Sequence, residues 1–318
     1  MKQRVLISID VEAPTGVNGV DNLVFCKIKD RQFGINYLMD CFDRFGFKGL
    51  FFVDIAEAWE YGFDSIINVI NSIVSRGHDV GVHLHPDRMS DKDRRFLWQY
   101  SYEEQYEMIK KCTDFFIEAI GRPPFSFRAG RYGANDDTIK ILESLGYSVD
   151  MSFFYGKKTC RIADAKSING LYYNGKVLEV PVTSFKSFAF FKYKRFDKLD
   201  FSMPFSEFKR VLCRARKRNS VDVCSFFLHS FSLIKWRKNP DRPKVDKRAV
   251  RKLLKELKYI SSSDYDVIRE DMLFDAYNDC STNSSAKEQF DLSKGIVPFF
   301  YFGIRAVSTI KSRFERNI

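Results

Sequence analysis

Two histidines placed two residues apart are the first feature of this chain that suggests chemistry. His83 and His85 lie in the segment HDVGVHLHP, where Val80, Val82 and Leu84 alternate with them. On an extended strand both imidazoles point to the same side, with Cα atoms about 6.6 Å apart. Two such rings can bind one metal ion. The alternative interpretation is a pair of buried, hydrogen-bonded histidines.

Two carboxylates follow an apolar run near the N-terminus. Asp10 and Glu12 come directly after Val5–Ile9, and they share a face if the chain stays extended. One carboxylate can complete a two-histidine metal site, and the other can take a proton from water. A solvated acidic turn before Pro14 is the competing interpretation.

Two further segments place reactive side chains after predicted strands. Arg128 in FRAGRYG can hold a carboxylate through a bidentate pair, and the glycines around it allow a tight turn with backbone N–H groups available to an oxyanion. His229 in SFFLHS follows a core-like run and can protonate a leaving amine. An ordinary strand-to-helix turn and a histidine at the edge of the core are the alternatives.

Strand-like and helix-like stretches alternate along the chain, which predicts parallel pairing in a barrel or an open sheet. In parallel β/α folds, active sites gather at the C-terminal ends of the strands. The predicted strands are Arg4–Asp10, Phe47–Asp54, His78–His85, Phe125–Gly130, Tyr147–Phe153, Val177–Thr183, Val221–Ser230 and Tyr265–Arg269. The predicted helices are Gln32–Phe45, Glu60–Arg76, Tyr102–Ile120, Asp136–Leu145, Phe205–Arg218 and Lys247–Ile260.

Composition and charge limit the class of protein. The 318 residues are 45% hydrophobic, which suffices for a large core, and no window approaches 18 uninterrupted apolar residues. Seven scattered cysteines without a CxxC pair, and an N-terminus without a secretory pattern, predict reduced thiols in a cytosol. Between Thr183 and Val250 there are 18 Lys/Arg against 6 Asp/Glu. This segment is either a solvated basic surface or a site for phosphate groups, an anionic membrane or nucleic acid.

Taken together and in order, these motifs resemble the polysaccharide deacetylase family, of the NodB-homology type and similar to carbohydrate esterase family 4. SIDVE resembles the family's first motif, GLFFVD its second strand, GHDVGVHLHP its two-histidine motif, FRAGRYG its third motif and FLHS its fifth; YSVDMS, with Asp150, stands where a fourth is expected. The resemblance covers roughly residues 4–235. It implies an α/β fold, a distorted (β/α) barrel with about seven strands. We expect this barrel to occupy residues 1–275, and a linker with an apolar, then basic, helix to occupy 276–318.

The resemblance also implies roles for single residues. Asp10 would be the catalytic base, positioned by Arg128, and His229 the general acid. A backbone N–H near Tyr132 would form the oxyanion hole. Glu12, His83 and His85 would bind a divalent metal, with Zn²⁺ favoured and Co²⁺, Ni²⁺ or Fe²⁺ as alternatives. The chain departs from the usual pattern in separating its two acids by Val11, in spacing its histidines two apart rather than four, and in lacking the Trp of the fourth motif, which suggests a differently shaped sugar pocket.

The expected function is removal of an N-acetyl or other N-acyl group from an amino sugar. Members with the DxE and HxHP motifs resemble enzymes encoded with O-antigen or capsule assembly, so we expect an N-acylated sugar, carried on a lipid diphosphate, at the inner face of the membrane. The basic segment and the C-terminal tail would provide peripheral membrane association. Alternatives are a deformylase or other C–N hydrolase on the same scaffold, and a catalytically degenerate carbohydrate-binding protein. Specific nucleic-acid binding is not expected, because no zinc-finger spacing or RNP-like aromatic motif is present.

Overall fold

The computed structural model describes residues 2–13, 20–190, 193–219, 221–235, 243–262 and 264–281. Its strands are β1 (Gln3–Val11), β2 (Lys27–Ile28), β3 (Arg31–Gln32), β4 (Leu50–Asp54), β5 (Asp79–Leu84), β6 (Ser126–Ala129), β7 (Val149–Asp150), β8 (Tyr172–Asn174), β9 (Val177–Glu179), β10 (Ser184–Phe190), β11 (Tyr193–Lys198), β12 (Val223–His229), β13 (Ile234–Lys235), β14 (Lys244–Val245) and β15 (Tyr265–Ile268). Its helices are α1 (Val20–Leu23), α2 (Ile35–Asp43), α3 (Ala58–Tyr61), α4 (Phe63–Val74), α5 (Tyr102–Ile120), α6 (Asp136–Ser144), α7 (Phe205–Arg218), α8 (Lys247–Ile260) and α9 (Leu273–Ser281).

One curled, mostly parallel sheet forms the centre of the fold. Its strands follow the order β12, β1, β4, β5, β6, β7, β9, β8, and β15 pairs with the first half of β1. Only β8 runs antiparallel to its neighbour. Next to β12, the backbone of Phe227 exchanges hydrogen bonds with Leu199 and Phe201, so the sheet curls toward closure. This half-barrel confirms the predicted distorted (β/α) barrel, and its first seven strands in this order are parallel, as is β15.

Burial on both faces explains why the strands are apolar runs. Every residue of β4 and β5 is buried, as a parallel sheet with helices outside and side chains inside requires.

Local sequence signals set the first and last residues of the helices. Ser101 and Glu104 form a reciprocal cap at the start of α5, and Gly121, at φ 76°, ends it.

The structure corrects several predicted elements. The predicted helix Glu60–Arg76 is two helices, because Gly62 at φ 92° interrupts it between α3 and α4. The predicted strands Tyr147–Phe153 and Val177–Thr183 pair only over β7 and β9. The hairpin β10–β11 and the short strand β8 were not predicted. In contrast, α7 and α8 begin and end at the predicted residues.

The C-terminal part of the described chain packs on the barrel. Leu273 and Ala276 of α9 are buried with Leu6, Leu50 and Val223 in the second core cluster. The predicted boundary after residue 275 falls within α9, and the predicted linker beyond Ser281 and the apolar and basic tail lie outside the described residues. No disulfide joins any of the seven cysteines, all of which lie in the described part. Within that part, the helices are too short or too polar to cross a membrane.

Candidate metal and catalytic site

Strand register brings the predicted site residues to one edge of the sheet. In the parallel ladders, Asp10 is paired with His229, Asp54 with His83, and His83 with Arg128. All five are at the C-terminal ends of neighbouring strands. Their side chains can therefore meet above the barrel, where active sites of parallel β/α folds are found.

Asp10 and Arg128 form a buried ion pair. Asp10 Oδ1 lies 2.6 Å from a terminal nitrogen of Arg128, and the other terminal nitrogen donates to Ser8 Oγ at 2.9 Å. The guanidinium also stacks over the Phe52 ring, 4.2 Å from its centroid. Burial alone would raise the pKa of Asp10, but the charges of Arg128 and His83 outweigh it and lower that pKa below its ordinary value. Asp10 is therefore held as a carboxylate in one orientation.

His83 and His85 turn the same ring atom toward each other. Their Nε2 atoms are 3.1 Å apart, and His83 Nδ1 lies 2.7 Å from the backbone oxygen of Arg128. With its proton on Nδ1, His83 donates to that oxygen and keeps the Nε2 lone pair for a ligand role. The backbone N–H of His85 donates to Asp54 Oδ1 at 3.2 Å. The hydrogen bond to Arg128 thus orients the His83 ring, and Asp54 holds the main chain of His85.

Glu12 completes a group of three possible metal ligands. Glu12 Oε2 lies 2.6 Å from His85 Nε2 and 3.6 Å from His83 Nε2. The three ligand atoms lie within 4.8 Å of one another, and no other group of three or more such residues occurs in the described part of the chain. Two histidines and one carboxylate form a donor set that suits zinc in a catalytic site. The residues present therefore fit a divalent metal.

The charge of the site also favours a cation. Burial would lower the pKa of His83, but the carboxylates of Asp10 and Glu12 outweigh it and raise that pKa to about 9. The carboxyl group of Asp54, which is 1% exposed, adds a further acid beside them. A bound divalent ion would neutralise the negative charge that these acids place around the facing Nε2 atoms.

His229 stands on the opposite side of Glu12, where the site meets solvent. Its Nε2 lies 3.5 Å from Glu12 Oε1, and its side chain is 33% exposed. The ring stacks on Phe231 at a centroid distance of 4.8 Å and meets Phe227 edge-on. Burial lowers the pKa of His229, although the carboxylates of Glu12 and Asp10 oppose that effect.

Tyr132 lies in a strained turn after β6. Arg131 and Tyr132 both have left-handed backbones, at φ 55° and 59°. Such strain is often found at functional sites. The ion pair of Arg131 with Asp87, at 2.7 Å, fixes the outside of this turn. The Tyr132 side chain is buried, and its hydroxyl accepts a hydrogen bond from Lys198 Nζ at 2.7 Å.

Three neighbours of the site were not singled out from the sequence. Asp54 ends β4 just as Asp10 and His83 end their strands, so its position at the end of GLFFVD was a usable signal. Ser8, which accepts from Arg128, faces the barrel interior two residues before Asp10. Lys198 comes from the unpredicted hairpin, and no motif marks it. Asp150, expected in the fourth motif, is fully buried and accepts from Ser152 Oγ at 2.7 Å.

The architecture and the site together define a half-barrel protein with a carboxylate–histidine centre at its C-terminal edge. Residues 31–149 match the family model described as polysaccharide deacetylase, and this stretch contains His83, His85 and Arg128. This match agrees with the resemblance that the motifs of the chain implied.

Two solved structures with TM-scores above 0.5 share the fold at low sequence identity. A protein described as a putative polysaccharide deacetylase from Mycobacterium smegmatis is 16% identical, with 91% of this chain and 94% of that chain covered and a TM-score of 0.54. A 4-alpha-glucanotransferase from Thermococcus litoralis is 11% identical, with 86% and 40% covered and a TM-score of 0.53. A peptidoglycan deacetylase from Bacillus subtilis is 12% identical, with 89% and 95% covered and a TM-score of 0.43. Among curated proteins, no sequence matches this chain.

Proposed function

We propose that this protein is a metal-dependent hydrolase that removes an N-acetyl or other N-acyl group from an amino sugar. The observation that carries the proposal is the convergence of Glu12, His83 and His85 beside the Asp10–Arg128 pair and His229. The match of residues 31–149 to the polysaccharide deacetylase model supports the reaction class. The proposal combines a metal-binding donor set, a base and an acid at one sheet edge.

Glu12, His83 and His85 would hold the ion. Zinc is the first choice, because two imidazoles and one carboxylate suit it, and Co²⁺, Ni²⁺ or Fe²⁺ would accept the same donors. A bound ion would supply Lewis acidity at the amide carbonyl and at the attacking water. The hydrogen bond from His83 to the Arg128 carbonyl orients one ligand before any ion binds.

The remaining residues would move protons and hold charge. Asp10 takes a proton from the attacking water, and Arg128 keeps that carboxylate ionised and correctly oriented. The backbone N–H of Tyr132 donates to the carbonyl oxygen, which becomes an oxyanion when water adds to the amide carbon. His229, at the open side of the site, gives a proton to the departing amine.

Bacterial surface-polysaccharide synthesis is the setting that we propose, with a lipid-diphosphate-linked sugar at the inner face of the membrane. The support is a basic surface formed by the packed helices α7 and α8. Their acidic residues, Glu207 and Glu256, are buried, whereas Lys209, Lys217, Arg218, Lys247, Arg248, Arg251, Lys255 and Lys258 are exposed. Such a surface attracts anionic lipid headgroups. Cytoplasmic residence and the choice of sugar are parts of this proposal.

Metal content tests the proposal directly. We expect about one divalent metal per chain in the purified protein, and none in the His83→Ala/His85→Ala double variant. A His78→Gln variant is the control, because that histidine lies just before β5, at the opposite end of the strand from the site. The metal-loaded protein is then assayed against a panel of formyl, acetyl and longer N-acyl amino sugars, by release of the free acid. A protein that binds no zinc, cobalt or nickel would instead be a degenerate carbohydrate-binding protein.

A further inference from the structure

A pocket beside His229 carries a lysine that the proposed mechanism does not use. The pocket has a volume of about 410 Å³, which lies within the range of small-molecule sites. Phe201, Phe227 and Phe231 form its apolar wall, and Lys198 and Lys252 contribute ammonium groups. Because His229 lines the same pocket, a group bound there would lie next to the proposed acid.

Lys198 is held in this wall by neutral and aromatic groups. Its Nζ donates to Tyr132 Oη at 2.7 Å and lies 3.2 Å from the centroid of the Phe227 ring. Within the described part of the chain, Lys198 forms no ion pair with a carboxylate. Burial lowers the pKa of Lys198 to about 7, although the charges of Asp200 and Asp10 oppose that effect. An ammonium group has three donors, so at least one remains for a bound oxygen atom.

The other two lysines of the pocket already have oxygen partners. Lys235 forms an ion pair with Asp246 at 2.9 Å. Lys252 donates to the backbone oxygens of Phe201 and Met203. Lys198, Lys235 and Lys252 together face two carboxylates, Asp200 and Asp246, in the lining. When Lys198 is protonated, these side chains carry one more positive than negative charge, which a singly charged anion would balance.

We propose that this pocket binds a negatively charged substituent of the sugar substrate and that Lys198 is the cation that recognises it. The shared chemistry is a singly charged oxyanion, which a sugar carboxylate or a phosphodiester can supply. The inference rests on the proposed function for the identity of the ligand as an N-acyl sugar. It assigns Lys198 to substrate specificity and not to the chemical step.

Binding of matched sugars tests the assignment without reference to turnover. The probes are the methyl glycoside of N-acetylglucosamine, the methyl glycoside of N-acetylglucosaminuronic acid, and N-acetylglucosamine 1-(methyl phosphate). Dissociation constants are measured by calorimetry for the wild type, for Lys198→Met and for Lys111→Met. Lys111 is exposed on α5 and lies outside the pocket lining, so its variant removes the same charge elsewhere.

We expect one of the anions to bind the wild type at least tenfold more tightly than the neutral sugar, with a preference that weakens as salt is added. Lys111→Met keeps the preference, and Lys198→Met reduces it to about twofold or less. The preferred anion identifies the source, carboxylate or phosphodiester. Comparing two constants within each variant cancels general damage, and melting temperatures check that the variants fold.

Three outcomes overturn the inference: equal binding of charged and neutral sugars to the wild type, a preference that survives Lys198→Met, or binding of neither anion at millimolar concentration. Acid release from the same probes is recorded separately with metal-loaded protein. Preferential binding of an anion without hydrolysis would refute the proposed function and support the anion pocket. Hydrolysis without a preference for an anion would refute only the anion pocket.

Discussion

Gly130 provides the sharpest test of whether the site depends on its packed geometry. A Cβ atom at this position would lie 2.8 Å from His85 Nδ1 and 2.7 Å from the backbone oxygen of Leu84. The backbone of Gly130 is not in the left-handed region, so the effect of alanine depends on the space around its Cβ atom and not on backbone strain. Ordinary contact begins near 3.4 Å, and the His85 ring would have to move by about 0.6 Å.

Metal ligands tolerate much smaller displacements, on the order of 0.2 Å. We therefore expect Gly130→Ala to weaken zinc binding by about 10–100-fold, the range found when the surroundings of a ligand are disturbed. The overpacking itself should cost about 1–3 kcal/mol of unfolding free energy. Zinc affinity is measured by competition with a chromophoric chelator, and stability is measured by denaturant unfolding.

Gly133→Ala is the matched control for this experiment. Its Cβ would lie 2.9 Å from Phe96 and away from His85, so it should cost stability but leave zinc affinity near that of the wild type. A folded Gly130→Ala protein that binds zinc as tightly as the wild type would refute the assignment of His85 as a ligand whose position depends on close packing against Gly130.

Three further outcomes follow from buried titratable groups. Asp10→Asn should lower kcat by about 10²–10⁴-fold with metal content retained, since a base and not a ligand is removed; undiminished turnover would exclude Asp10 as the base. Burial lowers the pKa of His78 from 6.5 to about 4, and its Nδ1 accepts from the Gly49 N–H, so the folded state resists protonation. The unfolding free energy that neutral His78 contributes is present above pH 6.5 and is lost as the pH falls toward 4. Between pH 7 and pH 5, the wild type should therefore lose about 2 kcal/mol more unfolding free energy than His78→Gln, as measured by urea unfolding. Equal losses in the two proteins would contradict this. Burial raises the pKa of Glu256 to about 8, so the folded state keeps a proton that the unfolded chain releases above pH 4.5. The unfolding free energy therefore falls as the pH rises from 4.5 to 8. The gain in unfolding free energy from Glu256→Gln should be larger at pH 8 than at pH 6 by about 2 kcal/mol. A gain that does not change with pH would contradict this prediction.

Much of the fold followed from local patterns. The helix α7 ends where the sequence predicts, because Asn219 at φ 47° closes it. The helix α8 begins where the sequence predicts, because the side chain of Asp246 caps its N-terminus. The parallel sheet followed from buried apolar runs alternating with helices. The interruption at Gly62 was missed, because a single glycine between two amphipathic stretches does not distinguish a weak helix from a break.

The hairpin β10–β11 was missed for a different reason. Its residues are basic and aromatic, and they contain no two-residue turn signal of the Asn-Gly type. The backbone N–H of Leu199 donates to Thr183 and extends the hairpin, and the backbone oxygen of Leu199 accepts from Phe227, which joins the hairpin to β12. Lys198 reaches the pocket only because of this tertiary arrangement, so no local pattern could have identified it.

The histidine spacing shows how the strand, and not the motif, builds the candidate site. An extended strand turns His83 and His85 to one side, and the measured contact of their Nε2 atoms at 3.1 Å agrees with that geometry. The same periodicity places Asp10 and Glu12 on one face of the chain as it leaves β1. Because β4 separates β1 from β5, Asp54 fills the space between the two pairs and accepts from the His85 backbone. In this chain, Glu12 after β1 and the two histidines at the end of β5 thereby bring three ligand atoms within 4.8 Å of one another.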